Sequence, residues 1–187
     1  TGTLLIADEV QSGLGRTGHP FYFQALQWTP DLVSVGKALG SGVPVAAALV
    51  SERVAKAISA GDHGSTYGGN LLACRAAAFF LEQLMDKGLL EHVREVGGHF
   101  ERRLRTLALR HPVIVEARGA GLMRGLELRV DAAAVVDQAR EHGLLVNRTA
   151  ERVVRLLPPL VIEAAEIDDA VDILDGVLAG IPAEVGA

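Results

Sequence analysis

A single cysteine, Cys74, stands in the 187 residues. No disulfide can form within the chain, which excludes a small cross-linked secreted scaffold and fits a reducing, cytoplasmic setting. Basic residues are in the minority, 18 Lys plus Arg against 23 Asp plus Glu, for a formal net charge of −5. Without a global positive field there is no electrostatic basis for holding nucleic acid or an anionic membrane. Long apolar runs are missing as well: residues 43–50 are closed by Ser51, Glu52 and Arg53, far short of the roughly 18–20 residues a spanning helix needs. The chain opens without Met and without a basic segment ahead of its apolar run, and so reads as a chain cut inside a domain rather than one with a signal peptide. What is abundant is apolar residues, 49% of the total. That is enough for a sizeable core and excludes general disorder, and the length suits one large domain or two small ones.

Residues 3–7 form a short apolar run ending in Asp8 and Glu9, the pattern of a buried parallel strand whose carboxyl end opens on a site. A turn rich in glycine (Gly13, Gly15, Gly18) follows. Residues 21–27 then read as a short helix, 32–35 and 45–50 as further buried strands, and 51–58 as a helix capped by Ser51. Residues 61–69 are too glycine-rich for a tight turn, and such a loop is expected to approach something closely. Helix is expected over residues 70–87, broken at Gly88, then resumed by Leu89, Val93, Val96, Phe100, Leu104 and Leu107 at 3.6-residue spacing up to Pro112, as a bridge between two lobes. Beyond it, strands at 113–117, 122–128 and 153–156 and amphipathic helices at 131–142 and 166–178 make an α+β lobe. Residues 182–187 read as a frayed tail.

Several motifs have structural explanations. Leu4-Leu5-Ile6-Ala7-Asp8-Glu9 has the shape of a Walker B strand, but the one Gly-Lys, Gly36-Lys37, is followed by Ala38 and lacks the earlier glycine of a phosphate loop. Gly13 to Gly18 matches G-x-G-x-x-G, yet His19-Pro20 follows where a dinucleotide fingerprint would open a helix. A glycine turn explains it better. The six histidines include no pair at metal-ligand spacing, so no metal site is assigned. Cys74, beside Leu71, Leu72 and Ala73, reads as a small buried thiol.

Asp8 and Lys37 each stand just after an apolar strand, and a parallel sheet would bring both to its carboxyl edge, where open α/β sheets bind ligands. A lysine among apolar and small residues is expected to be poorly solvated, which favours its neutral, nucleophilic form and a Schiff base. A carboxylate opposite it could keep a pyridine nitrogen protonated, as pyridoxal phosphate requires to act as an electron sink. A buried Lys–Asp ion pair is the alternative, and the pattern alone leaves both open.

At these residues the chain resembles the class III, pyridoxal-phosphate-dependent aminotransferases of fold type I, the group of acetylornithine, ornithine and 4-aminobutyrate transaminases. The matching pieces are Ile6 through Gly13 with Gly15-Arg16-Thr17-Gly18, Pro30-Asp31 leading to Gly36-Lys37-Ala38-Leu39-Gly40, and His63-Gly64-Ser65-Thr66-Tyr67-Gly68-Gly69-Asn70. Downstream, Arg118-Gly119-Ala120-Gly121-Leu122-Met123, Gly143-Leu144-Leu145-Val146-Asn147 and Val154-Arg155-Leu156-Leu157-Pro158-Pro159-Leu160 are most similar to acetylornithine aminotransferases.

The resemblance implies an α/β fold: residues 1–90 as part of a large domain with a mixed, mostly parallel sheet that binds pyridoxal 5′-phosphate, and residues 91–187 as a small α+β domain with its bridging helix. It implies Lys37 as the Schiff-base lysine and proton shuttle, and Asp8 as the partner of the pyridinium nitrogen. Val10 would pack on the ring, Gln11 would bond its phenolic oxygen, and Thr66 would reach the phosphate held by the other subunit of a homodimer. Arg155 would lie on the substrate side. Substrates would be an amino acid of the acetylornithine or ornithine type and 2-oxoglutarate, a step of arginine biosynthesis. Family subunits are longer, and the resemblance places upstream of Asp8 most of the phosphate grip, the ring-stacking aromatic and the arginine for the substrate α-carboxylate. The chain is therefore expected to be incomplete, complemented by a missing N-terminal half and leaving a hydrophobic sheet edge exposed. A non-catalytic remnant or assembly partner keeping the same fold is the other expectation.

Overall fold

The computed structural model of the chain describes residues 2–182, which divide into two compact units at Leu90/Glu91. Of the tail expected to fray, residues 183–187 lie outside the described residues.

The first unit is built on three strands, β1 (Ile6–Asp8), β2 (Leu32–Val35) and β3 (Ala47–Val50), in the order β1-β2-β3. β1 runs parallel to β2, with Ile6 opposite Leu32 and Asp8 opposite Ser34. β3 is antiparallel to β2, so this sheet is mixed. β1 starts later than the apolar run because its ladder begins where β2 begins; Leu5 is tied to the start of β2, its carbonyl accepting the Asp31 and Leu32 N–H groups while its own N–H donates to Asp31 Oδ2 at 3.0 Å. The apolar pattern of β1 and β3 reads as buried, but both are outer strands, and with Ile6 64% and Leu49 44% exposed they match the other expectation, an exposed hydrophobic sheet edge. The residues before β3 serve a different purpose. Val45 and Ala46 pack where Gly40 and Gly36 lack a side chain, at 2.8 Å and 3.6 Å from the positions their Cβ atoms would take.

Two short helices, α1 (Tyr22–Ala25) and α2 (Glu52–Ala55), and the long α3 (Leu71–Asp86) complete the unit. Ser51 caps α2 by accepting the Val54 N–H, and Asn70 caps α3 by accepting the Ala73 N–H at 2.9 Å. Ala73, Phe80 and Leu84 form the buried stripe of α3. Cys74 lies one residue, about 100°, off that stripe. It is exposed, not the buried thiol expected. The glycine turn after β1 is structural: Gly15 sits at φ +88°, and a Cβ there would come within 2.5 Å of Leu84 Cδ1.

Helix α4 (Leu89–Arg110) follows Gly88, whose φ of +83° ends α3. The second unit carries β4 (Ile114–Ala120), β5 (Met123–Leu128), α5 (Ala133–Glu141), β6 (Asn147–Thr149), β7 (Val153–Leu156) and α6 (Ala164–Ala179). Its sheet is antiparallel throughout, in the order β4-β5-β7-β6. Val93, Phe100 and Leu104 of α4 join Leu126, Val154, Ile167 and Leu174 in one core. Acids of α6 meet bases of α4: Asp168 pairs with His99 and Arg103, Asp172 with Arg103, and Asp175 with Arg110 and His111.

The turn between β4 and β5 is locked by Arg124, buried to 7% exposure. Its guanidinium donates to the carbonyls of Gly121 (2.9 Å), Gly119 (3.0 Å) and Gly97 (3.1 Å) and to Glu101 Oε2 (3.1 Å). Gly119 has φ +128°, and a Cβ there would lie 2.1 Å from the Met123 carbonyl oxygen. No helix among the described residues is long and apolar enough to cross a membrane.

Candidate active site

The parallel pairing of β1 with β2 brings the carboxyl ends of both strands to one edge. Asp8 closes β1, and Lys37 opens a 3-10 turn (Lys37–Gly40) directly after β2 and Gly36. Lys37 sits at φ +45°, in the left-handed region that costs a residue with a Cβ roughly 1–2 kcal/mol. The turn thus holds a non-glycine residue in a costly conformation at the mouth of the sheet. Its neighbours Gly36, Ala38 and Gly40 are too small to cover it, and Lys37 is exposed, contrary to the desolvated lysine expected.

Asp8 is also exposed, so the pair is not the buried ion pair of the alternative reading. Its Oδ1 accepts the Val10 N–H at 3.1 Å and the Ser34 hydroxyl at 2.8 Å. These two bonds hold the Asp8 carboxyl below the usual aspartate range, with the Lys37 charge adding the smallest pull. Both fall on Oδ1, leaving Oδ2 for another donor. The Val10 side chain reaches the same place: its Cγ1 lies 3.7 Å from where a Gly36 Cβ would be. Gln11 is half-buried in the turn that follows.

Glu9, which the sequence reading left without a role, is buried to 3%. It accepts the Ser12 hydroxyl at 2.7 Å and the Phe23 N–H at 2.8 Å, while its carbonyl accepts the Gly13 N–H. The acid that suggested a Walker B end is therefore committed to folding residues 9–23 over the strand. Ser34 was also missed. Its signal is a polar residue between buried Val33 and Val35, directly opposite Asp8.

The remaining expected site residues stand elsewhere. Thr66 lies in residues 61–70, all exposed. Added Cβ atoms at Gly61, Gly64 and Gly69 would meet nothing within 4 Å, and one at Gly68 would meet Ser65 of the same loop, so these glycines make no close approach outside the loop among the described residues. Among the described residues, no hydrogen bond or ion pair joins Thr66 to Asp8 or Lys37. Arg155 belongs to the second unit, in β7 between Gly125 of β5 and Asn147 of β6.

The other two lysines of the chain are engaged in ion pairs, Lys56 with Glu52 at 2.8 Å and Lys87 with Glu82 at 3.6 Å. Lys37 alone of the three stands at a strand's carboxyl end beside an ionised carboxylate. In comparison with known proteins, residues 1–178 match the family model for aminotransferase class-III.

The chain belongs to the class III aminotransferases.

Acetylornithine aminotransferase of Methanothermobacter thermautotrophicus is 48% identical over 178 residues, covering 95% of this chain and 46% of the relative. The crystal structure of acetylornithine aminotransferase from Elizabethkingia anophelis superposes with a TM-score of 0.87 at 34% identity, over 96% of this chain and 46% of that one. Ornithine aminotransferase of Toxoplasma gondii, whose structure has partial occupancy of PLP at its active site, gives a TM-score of 0.86 at 37% identity, over 94% and 43%. The chain thus spans about half the length of the curated relatives it matches. Class III aminotransferases are pyridoxal-phosphate enzymes of fold type I, and both compact units fit that α/β architecture.

Proposed function

We propose that this chain contributes the covalent-attachment lysine and the ring-nitrogen partner of a pyridoxal-phosphate aminotransferase of the acetylornithine/ornithine type, which transfers an amino group to 2-oxoglutarate in two half-reactions. The observation that carries this reading is Lys37 and an ionised Asp8 at one edge of a parallel strand pair. The donor set fits the cofactor: Asp8 has one oxygen fixed by its own neighbours and the other open to a ring N–H, and Lys37 offers an accessible primary amine. When bound, pyridoxal phosphate supplies an aldehyde carbon for attachment and a pyridinium ring that withdraws electron density from the substrate Cα.

Asp8 keeps the ring nitrogen protonated, because a carboxylate already stabilised as an anion does not take that proton itself. Lys37 Nζ would hold the cofactor, and as a free amine it would move the proton that leaves the donor Cα. Val10, against Gly36, offers an apolar surface for one ring face, and Gln11 a partner for the phenolic oxygen. Thr66 is the candidate phosphate contact across a homodimer, and its exposed loop favours such a role. Arg155 is the candidate partner of a substrate carboxylate.

The test mixes the purified chain with the separately expressed N-terminal half of a related acetylornithine aminotransferase, saturating pyridoxal phosphate, N-acetylornithine and 2-oxoglutarate, and measures glutamate. Glutamate formation that disappears with Lys37→Ala is expected. Glutamate undiminished by that substitution would refute the assignment, and none at all from the mixture would favour the non-catalytic reading.

A further inference from the structure

We infer that Ser34 is a positioning residue for the reaction, setting the orientation of the Asp8 carboxylate through the hydrogen bond from its hydroxyl to Oδ1. This rests on the functional reading above, in which Asp8 serves the ring nitrogen. Asp8 and Ser34 are directly opposed in the parallel ladder. Opposed residues project to the same face of a sheet, while their strand neighbours project to the other. Val33 and Val35 are accordingly buried, whereas Ser34 is half-buried on the Asp8 side. A slip of one residue would put Val33 or Val35 opposite Asp8 and leave its carboxylate without this donor. The register is pinned next to the site by the Glu9 N–H, which donates to the Ser34 carbonyl at 3.0 Å. Ser34 is thus held through its backbone while its side chain holds Asp8.

The consequence is orientation as well as charge. With Val10 N–H and Ser34 O–H both on Oδ1, the carboxylate cannot turn freely, and Oδ2 is the oxygen these donors leave open. Two donors to the charged form favour ionisation, and removing one weakens that preference. Glu9, Gln11 and Ser12 follow Asp8 in the chain, and Lys37 is the charged side chain whose field acts on it. Glu9 accepts from the Ser12 hydroxyl and the Phe23 N–H, so as an acceptor it offers Asp8 no donor in place of Ser34.

The test uses the full chain. The ¹³C resonance of the Asp8 carboxyl is titrated in wild type, Ser34→Ala and Ser34→Thr, and pyridoxal 5′-phosphate binding is followed by absorbance across the same pH range. Ser34→Ala is expected to shift the Asp8 midpoint upward and to weaken pyridoxal phosphate binding on the acid side, with Ser34→Thr restoring both. A side chain that merely fills space would leave the midpoint in place, because alanine preserves the strand and its backbone bonds. An unmoved midpoint in Ser34→Ala, or a moved midpoint with an unchanged binding profile, would overturn the inference. If the Ser34→Ala midpoint moves as expected but neither wild type nor variant takes up pyridoxal phosphate, the hold of Ser34 on Asp8 stands and the functional reading alone fails.

Discussion

Replacing Arg124 with Met keeps most of its aliphatic volume and removes every donor. In the chain, that guanidinium donates to the carbonyls of Gly97, Gly119 and Gly121 and pairs with Glu101, all from a position only 7% exposed. The Gly97 carbonyl lies inside α4 with a helical partner, so the loss falls on Gly119, Gly121 and Glu101. A buried acceptor left without a partner costs about 1–3 kcal/mol. Gly97 lies so close to Gly121 that a Cβ on it would be 2.9 Å from the Gly121 Cα, which leaves little room for water to replace the lost donors. Glu101 keeps a second partner, Arg105, and is partly solvated, so its share of the loss is small. A total of about 3–5 kcal/mol follows, in line with breaking a buried charge network from one side. That is a large part of the roughly 5–15 kcal/mol by which a domain is stable. Arg124→Lys should recover less than half, because one ammonium cannot span carbonyls that a planar fork reaches together. Urea unfolding followed by circular dichroism measures the loss, and hydrogen exchange in peptides covering residues 97–104 and 119–126 locates it. A loss below about 1 kcal/mol for Arg124→Met, or full recovery with lysine, would refute the reasoning that these bonds hold the turn.

Gly119→Ala should destabilise the second unit by about 3 kcal/mol or more, since its φ of +128° and the Met123 carbonyl 2.1 Å from the new Cβ leave no place for a methyl group; the thermal midpoint reads this. The His111 hydrogen bond, followed by the Arg110 charge, holds the Asp175 carboxyl below its ordinary value. Its contribution to stability is therefore complete above the ordinary aspartate midpoint of about 3.9 and lost as pH falls through the lower folded-state value. Acid unfolding of Asp175→Asn should show a flatter acid limb than wild type. Asp8→Asn should still allow cofactor attachment at Lys37, yet slow glutamate formation in the complemented mixture by about 10²-fold, the scale of losing one electrostatic stabiliser; a wild-type rate would make Asp8 structural.

The edge of the candidate site was readable because β1 and β2 are short apolar runs, each followed by the residue that matters, and the shared motifs supported the family. Hydrophobicity could not reveal exposure. Ile6 and Leu49 read as buried, but they lie on outer strands. Likewise, the smallness of Gly36 and Ala38, read as an apolar surrounding for Lys37, is what leaves it open. β6 was missed because Asn147-Arg148-Thr149 has no apolar alternation, and its hairpin turns through Ala150 and Glu151 at φ +46° and +59° instead of the expected glycine or asparagine. Ser34, Glu9 and Arg124 act through partners distant in sequence, visible only once strand register and turn geometry are known. The roles of Thr66 and Arg155 rest on motif resemblance: Thr66 has no hydrogen bond or ion pair to Asp8 or Lys37 among the described residues, and Arg155 belongs to the other compact unit.

The account turns on which amine takes the cofactor, and three lysines make the question sharp. Incubating the chain with saturating pyridoxal phosphate, reducing with borohydride and mapping peptides by mass spectrometry assigns the modified residue. A pyridoxyl group on Lys37, lost in Lys37→Ala without transfer to another lysine, is the predicted result; modification of Lys56 or Lys87 with Lys37 untouched would contradict the account.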